Sequence, residues 1–97
     1  MRIVYSPRAI ADLRAISAYL KPLSPQGARH VGAAILHALQ QLLVFPHAGT
    51  PQKIKGVRKI ITRKYPYLIY YTVDEPAEEI LVIAIQHSAR ARAFTDQ

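Results

Sequence analysis

Two stretches of the chain repeat apolar residues at helical spacing, and each stretch begins with a Ser-Pro pair. The serine side chain can accept hydrogen bonds from free backbone N–H groups, and proline fits the first helical position. We therefore predict one helix from Ser6-Pro7 to about Lys21–Leu23, and a second from Ser24-Pro25 to Pro46. The residues predicted to face the core are Ile10, Leu13, Ile16 and Leu20, followed by Val31, Ile35, Ala38, Leu39, Leu42 and Phe45. The small residues Gly32, Ala33 and Ala34 are predicted to let the two helices approach closely.

The segment from Gly56 to His87 reads as consecutive strands, at about Val57–Arg63, Tyr67–Val73 and Glu79–Gln86. A short strand signal, Arg2–Tyr5, precedes the helices, and residues 47–56 read as a loop. The predicted order is β-α-α-β-β-β within a single α+β domain over residues 1–97, an antiparallel sheet packed on an α-helical hairpin. Connection rules leave the place of the first strand in the sheet open.

The second and third predicted strands are apolar on both faces. Residues 67–71 and 80–85 do not alternate, whereas a meander with one wet face normally does. The helical hairpin can cover one face of the sheet. We therefore expect the other face to be left partly bare, for a second polypeptide to occupy.

The charge of the chain, formally +7, is unevenly distributed. No carboxylate lies between Asp12 and Asp74, and six cations fall between Lys53 and Lys64, which predicts binding to a polyanion or an acidic protein. The tyrosines beside these cations suit stacking on nucleic acid, but packing within a half-buried sheet and at an interface is the favoured explanation. The candidate partner- or polyanion-binding residues are Lys53, Lys55, Arg58, Lys59, Arg63, Lys64, Tyr70, Arg90 and Arg92.

The chain lacks the catalytic residues that most enzyme classes require. The chain has no cysteine, few carboxylates, no G-x-S-x-G elbow and no phosphate-binding glycine loop. His30 and His37 lie seven residues apart, which is not the i, i+4 spacing of a helical zinc site. We expect no metal and no cofactor. No segment is long and apolar enough for a membrane span, so we expect a cytoplasmic protein.

His87 is the histidine best placed for catalysis, because it ends the last apolar strand. Counting residues by two, it is predicted on the side of Leu81, Ile83 and Ile85. A histidine can move protons and arginines can stabilise a phosphate during RNA cleavage. The candidate ribonuclease set is His87 with Arg58, Arg63, Arg90 and Arg92. The simpler alternative is a histidine that caps the end of a strand through a backbone carbonyl.

Four segments resemble the ParE branch of the ParE/RelE toxin superfamily, whose members are also called plasmid stabilization proteins. They are SPRAIADLRAI, FPHAG, GVRKIITRKYPYLIYYTVD and EEILVIAIQHSARAR, in that order. The resemblance implies a toxin of a type II toxin–antitoxin system that is neutralised by a cognate antitoxin. A ParE-like member is expected to arrest growth by inhibiting DNA gyrase, without being an enzyme.

The RelE branch implies a different activity, ribosome-dependent cleavage of mRNA, with Arg58, Arg63, His87 and Arg90 at matching positions. This chain lacks a tyrosine after His87, and Phe94 is the only aromatic residue there. We therefore rank gyrase inhibition first and RelE-like cleavage second. A nucleic-acid-binding module without toxicity is the third hypothesis.

Overall fold

The computed structural model describes residues 1–90, apart from the side chain of Arg90. It contains two helices and five strands. In chain order they are β1 (Arg2–Tyr5), α1 (Pro7–Leu23), α2 (Pro25–Val44), β2 (Thr50–Pro51), β3 (Val57–Ile61), β4 (Tyr67–Asp74) and β5 (Glu79–His87). A 3-10 turn, Ser88–Arg90, follows β5. Within this part of the chain, neither helix is both long and apolar enough to cross a membrane.

The strands form a single sheet in the order β1-β5-β4-β3-β2. β2 to β5 pair antiparallel, as predicted, whereas β1 pairs parallel to β5 with Arg2 opposite Glu79. The sheet is therefore mixed, because the first strand joins the last one and runs in the same direction. The predicted α+β order is confirmed, with β2 as an addition inside the predicted 47–56 loop.

Both helices begin at the predicted Ser-Pro pairs. The Ser6 hydroxyl accepts a hydrogen bond from the Ala9 N–H at 3.0 Å, and the Ser24 hydroxyl accepts one from the Gly27 N–H at 2.9 Å. Ser6 also donates to the Ile83 carbonyl of β5, so the first cap fixes α1 to the sheet. Each serine satisfies a helix N–H that has no partner within the helix.

The main core lies between the helices and one face of the sheet. It contains Ala9, Val31, Ile35, Leu39, Leu42, Tyr67, Ile69, Tyr71, Ile80, Val82 and Ile85. Two predicted core positions are wrong: Ile10 is 41% exposed and Phe45 is 63% exposed. Ile10 lies on the outer side of α1, and Phe45 follows the last turn of α2. The predicted helix contact through Gly32 is also wrong, since a Cβ at that position would meet nothing within 4 Å.

The second face of the sheet carries a smaller buried cluster of Val57, Leu68, Tyr70 and Ala84. Tyr70 is 0% exposed, and the other three are also buried. The prediction that this face is left partly bare is confirmed at one edge only: Ile61, which pairs with Leu68 on this face, is 60% exposed, whereas the cluster itself is buried. Most of the exposed large apolar side chains of the described residues lie elsewhere, on the helices and the loop after them: Ile10, Tyr19, Leu23, Leu36, Leu43, Val44, Phe45 and Ile54.

A β-bulge separates the two halves of β5. Tyr70 lies opposite Ala84 and Tyr71 lies opposite Val82, so Ile83 is an extra residue between the two pairs. A bulge of this kind reverses the side that the following residues face. His87 therefore shares the helix-facing side with Ile85 and Tyr67, while Ile83 packs against the cluster on the second face. The prediction that His87 shares a side with Leu81 and Ile83 is wrong for this reason.

Candidate functional site

His87 lies at the edge of the sheet where β5 ends and the β3–β4 connection turns. Its ring meets the Tyr67 ring edge-on, with a centroid distance of 5.4 Å and an interplanar angle of 86°. Its Nδ1 accepts a hydrogen bond from the Ala89 N–H at 3.1 Å, so a neutral ring carries its proton on Nε2. The ring is thus held at the strand end by a backbone N–H rather than by the carbonyl that we considered from the sequence.

A cleft of about 420 Å³ opens between α1 and this end of β5, and His87 forms part of its wall. Its lining comprises Asp12, Ala15, Ile16, Tyr19, Tyr67, Ile85, Gln86, His87 and Ala89. Sequence reasoning did not select Asp12 or Tyr19 for this place, because their spacing on α1 does not reveal which strand end α1 crosses.

The Asp12 carboxylate in this cleft has a structural role. Its Oδ2 accepts a hydrogen bond from the Ile85 N–H at 2.9 Å and lies 3.6 Å from Arg8 Nε. A carboxylate bound in this way fixes α1 to β5 just after the bulge.

Arg58 lies away from His87, and its side chain is hydrogen-bonded to backbone carbonyls of the same chain. Its Nη1 donates to the carbonyl oxygens of His47 at 3.0 Å and Gly49 at 2.8 Å. Arg58 pairs with Tyr71 across the strands, whereas His87 pairs with Tyr67. Four residues along β4 separate these positions by roughly 13 Å. The structure therefore does not bring Arg58 and His87 to one phosphate.

Tyr71 completes this contact between the sheet and the loop after α2. Its fully buried hydroxyl donates to the Pro46 carbonyl at 2.8 Å and accepts from the Gly49 N–H at 2.9 Å. Burial raises the pKa of Tyr71, while the Gly49 hydrogen bond and the charge of Arg58 lower it by less. The loop leaves no room for a side chain at Gly49, where a Cβ would lie 2.6 Å from the Tyr71 hydroxyl.

The cations that are close in sequence between residues 53 and 64 are dispersed by the fold. Lys53 and Lys55 precede β3, at the end of the sheet that also carries the acidic β4–β5 turn. Lys59 pairs with Tyr70 and so lies on the second face. Arg63 and Lys64 are exposed in the β3–β4 connection, near His87, because the Ser88 N–H donates to the Pro66 carbonyl at 2.6 Å.

The acidic turn and the start of β5 have polar partners within the protein. His47 Nε2 lies 2.7 Å from Glu75 Oε1, and Arg2 forms an ion pair with Glu79. Together with Arg63 and Lys64 at the opposite end, this gives the sheet one basic end and one end of mixed charge. A single continuous basic surface over residues 53–64 is not formed.

Three candidate residues remain: Tyr70, Arg90 and Arg92. Tyr70 is buried in the second-face cluster, and burial raises its pKa. A contact of its ring with a partner therefore requires that cluster to open. The backbone of Arg90 lies in the 3-10 turn after His87. Arg92 lies outside the described residues. No group of three or more potential metal ligands occurs in residues 1–90.

Comparisons with a family model and with known proteins indicate the same family of toxins. The family model described as "ParE toxin of type II toxin-antitoxin system, parDE" matches residues 3–92. The toxin candidate Y4kP of Sinorhizobium fredii is 33% identical over 82 residues, which cover 84% of this chain and 85% of that protein. Toxin RelE2 of Caulobacter vibrioides is 29% identical over 89 residues, which cover 92% and 97%.

Solved structures show the same fold. A chain from the chromosomal ParDE system of P. aeruginosa superposes with a TM-score of 0.76 at 26% identity, covering 90% of this chain and 95% of that one. The isolated E. coli RelE toxin superposes with a TM-score of 0.62 at 18% identity, covering 97% and 90%, and supports the fold alone. From the family match over nearly its whole length, the chain belongs to the ParE toxin family of type II toxin–antitoxin systems.

Proposed function

We propose that this toxin arrests growth by inhibiting DNA gyrase through binding, without catalysing a reaction. The supporting observation is the dispersal of the candidate ribonuclease groups. Arg58 is bound by loop carbonyls roughly 13 Å along the sheet from the His87 position, and the Asp12 carboxylate near His87 is bound to Ile85. A binding function needs no such assembly, and membership of the ParE family favours it.

The test is a supercoiling assay with purified gyrase, relaxed plasmid and ATP. We expect inhibition that titrates with the toxin and that is unchanged by His87→Ala, because a binding inhibitor does not use the imidazole for proton transfer. The same variant and the parent should arrest growth equally when expressed alone. Full supercoiling at a stoichiometric excess of folded toxin would refute gyrase as the target.

One observation favours the alternative, RelE-like cleavage of mRNA on the ribosome. His87, Arg63 and Lys64 share one end of the sheet, joined there by the hydrogen bond between Ser88 and Pro66. Under this alternative, primer extension on translated message shows cuts at defined codon positions, and His87→Ala abolishes them. Lys53→Ala, at the opposite end of the sheet, serves as the matched control and leaves the cuts unchanged.

We further propose that a cognate antitoxin neutralises the toxin in the cytoplasm. The related chains come from the ParDE system of P. aeruginosa and from the E. coli RelBE toxin–antitoxin complex, so both named systems contain a partner. On the second face of the sheet, where we first expected the antitoxin, Ile61 is exposed but the cluster that contains Tyr70 is buried.

A further inference from the structure

Two cations from different helices share a small cleft at the end of the hairpin where α1 meets α2. The cleft has a volume of about 340 Å³, and Lys21 and Arg29 line it together with Ser17, Pro25 and Ala28. Lys21 belongs to the last turn of α1, and Arg29 lies in the second turn of α2. The hairpin therefore brings these two side chains, eight positions apart in sequence, to the same space.

Arg14 continues this basic surface along α1. It precedes Ser17 by three residues and Lys21 by seven, and both spacings keep side chains on one face of a helix. The seven residues from Arg14 to Lys21 span roughly 10 Å along the helix axis. All three cations are exposed. We call Arg14, Lys21 and Arg29, together with the Ser17 hydroxyl, the hairpin basic cluster.

No acid of the described residues balances the charge of this cluster. Asp12 is the only carboxylate in α1 and α2, and its Oδ2 accepts a hydrogen bond from the Ile85 N–H and lies 3.6 Å from Arg8 Nε. The ion pairs found within residues 1–90 involve none of the three cations of the cluster. The cluster therefore keeps its positive field, which attracts an anionic partner.

The hydrogen-bond donors at the cleft suit a phosphate better than a carboxylate. Arg29 offers a planar fork of N–H groups, Lys21 offers an ammonium, and Ser17 offers a neutral hydroxyl. Because these donors come from two helices, they reach a shared ligand from different sides. A tetrahedral phosphate has oxygens that point to several sides, whereas the two oxygens of a carboxylate lie in one plane and are satisfied by one arginine fork.

We propose that the hairpin basic cluster binds the phosphate backbone of double-stranded DNA. One phosphate lies in the cleft against Lys21, Arg29 and Ser17, and a second phosphate of the same duplex meets Arg14. A duplex carries one negative charge per about 1.7 Å of its axis, so cations roughly 10 Å apart can each meet a phosphate. The inference goes beyond the proposed function, because this contact needs DNA alone and does not require gyrase.

Two other partners fit the cluster less well. Proteins that bind single-stranded nucleic acid stack its bases on aromatic rings, but no described residue that lines the cleft is aromatic. The exposed ring of Tyr19 lines the other cleft, beside His87. A second copy of this hairpin would bring uncompensated cations against one another. The regular backbone of a duplex requires only cations at fixed spacing, which two packed helices provide.

The experiment measures binding of the full chain to a fluorescein-labelled duplex of about 20 base pairs by fluorescence anisotropy, over a range of salt concentrations. Each phosphate contact contributes about −0.9 to the slope of log K against log salt concentration. Arg14→Gln, Lys21→Gln and Arg29→Gln each remove one cation and keep a good helix former. Each should reduce the slope by about 0.9, which corresponds to a loss of about eightfold in affinity at about 0.1 M salt.

Three further variants separate a built site from attraction to net charge. Lys55→Gln is the matched control, because it removes the same charge from an exposed residue outside the cluster, and it should change the affinity less than about twofold. Arg29→Lys keeps the charge and should keep the slope, with weaker binding because the fork is lost. Ser17→Ala removes a neutral donor, so it should weaken binding by about threefold at an unchanged slope. Far-UV circular dichroism confirms that each variant is folded.

Equal changes of slope in Lys55→Gln and Arg29→Gln would overturn the proposal, and so would absence of binding at roughly 100 µM protein in low salt. Polyglutamate that displaces the duplex at equal charge would assign the cluster to an acidic protein instead. Equally tight binding of a single-stranded RNA would refute the preference for a duplex. Displacement by about 1 mM inorganic phosphate at constant ionic strength would assign the cleft to a free phosphate. Gyrase is absent throughout, so failure here is distinguishable from failure of gyrase as the target.

Discussion

Replacing Tyr71 by phenylalanine tests whether the loop after α2 is held by a single hydroxyl. The Tyr71 hydroxyl donates to the Pro46 carbonyl at 2.8 Å and accepts from the Gly49 N–H at 2.9 Å. Phenylalanine keeps the buried ring but removes both hydrogen bonds. The loop is also held by Arg58, so the fold should persist while its stability falls.

The expected loss follows from the burial of the two groups that lose their partner. An unsatisfied buried donor such as the Gly49 N–H costs about 1–3 kcal/mol, and the partly buried Pro46 carbonyl adds less. We expect the free energy of unfolding to fall by about 2–3 kcal/mol, a large share of the about 5–15 kcal/mol typical of a domain. For a chain of this size the melting temperature falls by about 10–20 °C.

Urea denaturation followed by circular dichroism measures this loss. Tyr19→Phe is the matched control, because Tyr19 is 66% exposed and the same hydroxyl deletion there should change stability by less than about 0.5 kcal/mol. Stability of the Tyr71→Phe variant within about 0.5 kcal/mol of the parent would refute the reasoning.

A double-mutant cycle with Gly49→Ala makes the test stricter. The added Cβ would lie 2.6 Å from the Tyr71 hydroxyl, 2.8 Å from Tyr71 Cε1 and 3.0 Å from the Lys59 carbonyl oxygen. Removing the hydroxyl relieves only the closest of these contacts. Gly49→Ala should therefore be destabilising in both backgrounds, and less so with Tyr71→Phe by about 1 kcal/mol. Strict additivity would contradict the close approach.

Two further predictions concern the attachment of α1 and the response to alkali. Asp12→Ala should lower the free energy of unfolding by about 1–3 kcal/mol, because the Ile85 N–H loses its acceptor. Amide exchange at Ile85 should accelerate selectively, and uniform acceleration throughout the sheet would contradict this local role. Burial raises the pKa values of Tyr70 and Tyr71 above the ordinary tyrosine value of 10.0. Since the unfolded chain ionises first, stability is constant below pH 10 for these groups and falls as the pH rises toward their folded values. Phenolate absorbance compared with that of Tyr70→Phe and Tyr71→Phe variants should show both residues ionising above pH 10, and ionisation of either one near pH 10 in the folded protein would refute the prediction.

Local chemistry made the helices and the last three strands predictable. Ser6 and Ser24 act within three residues of themselves, so the helix starts could be read directly from the sequence. The apolar runs of β4 and β5 likewise identify strands without knowledge of their neighbours. These features depend on residues close to one another in sequence, so one sequence is enough to predict them.

The candidate site was less predictable because it depends on long-range register. The bulge that leaves Ile83 unpaired arises from the match between two strands, and it alone decides which side His87 faces. Arg58 looked free in sequence but donates to two carbonyls that a loop brings to it. Gly49 lies in the FPHAG segment, yet only the position of the Tyr71 ring shows why a side chain is not tolerated there.

The pairing of β1 with β5 has a consequence for synthesis of the protein. Arg2 and Glu79 lie 77 positions apart, so the first strand has no neighbour in the sheet until nearly the whole chain has left the ribosome. Closing so long a loop slows folding, and an emerging chain keeps its N-terminal strand unpaired meanwhile. Translation that stops before β5 is complete would therefore release a fragment without a finished sheet, so harm to the host would begin only with full-length copies.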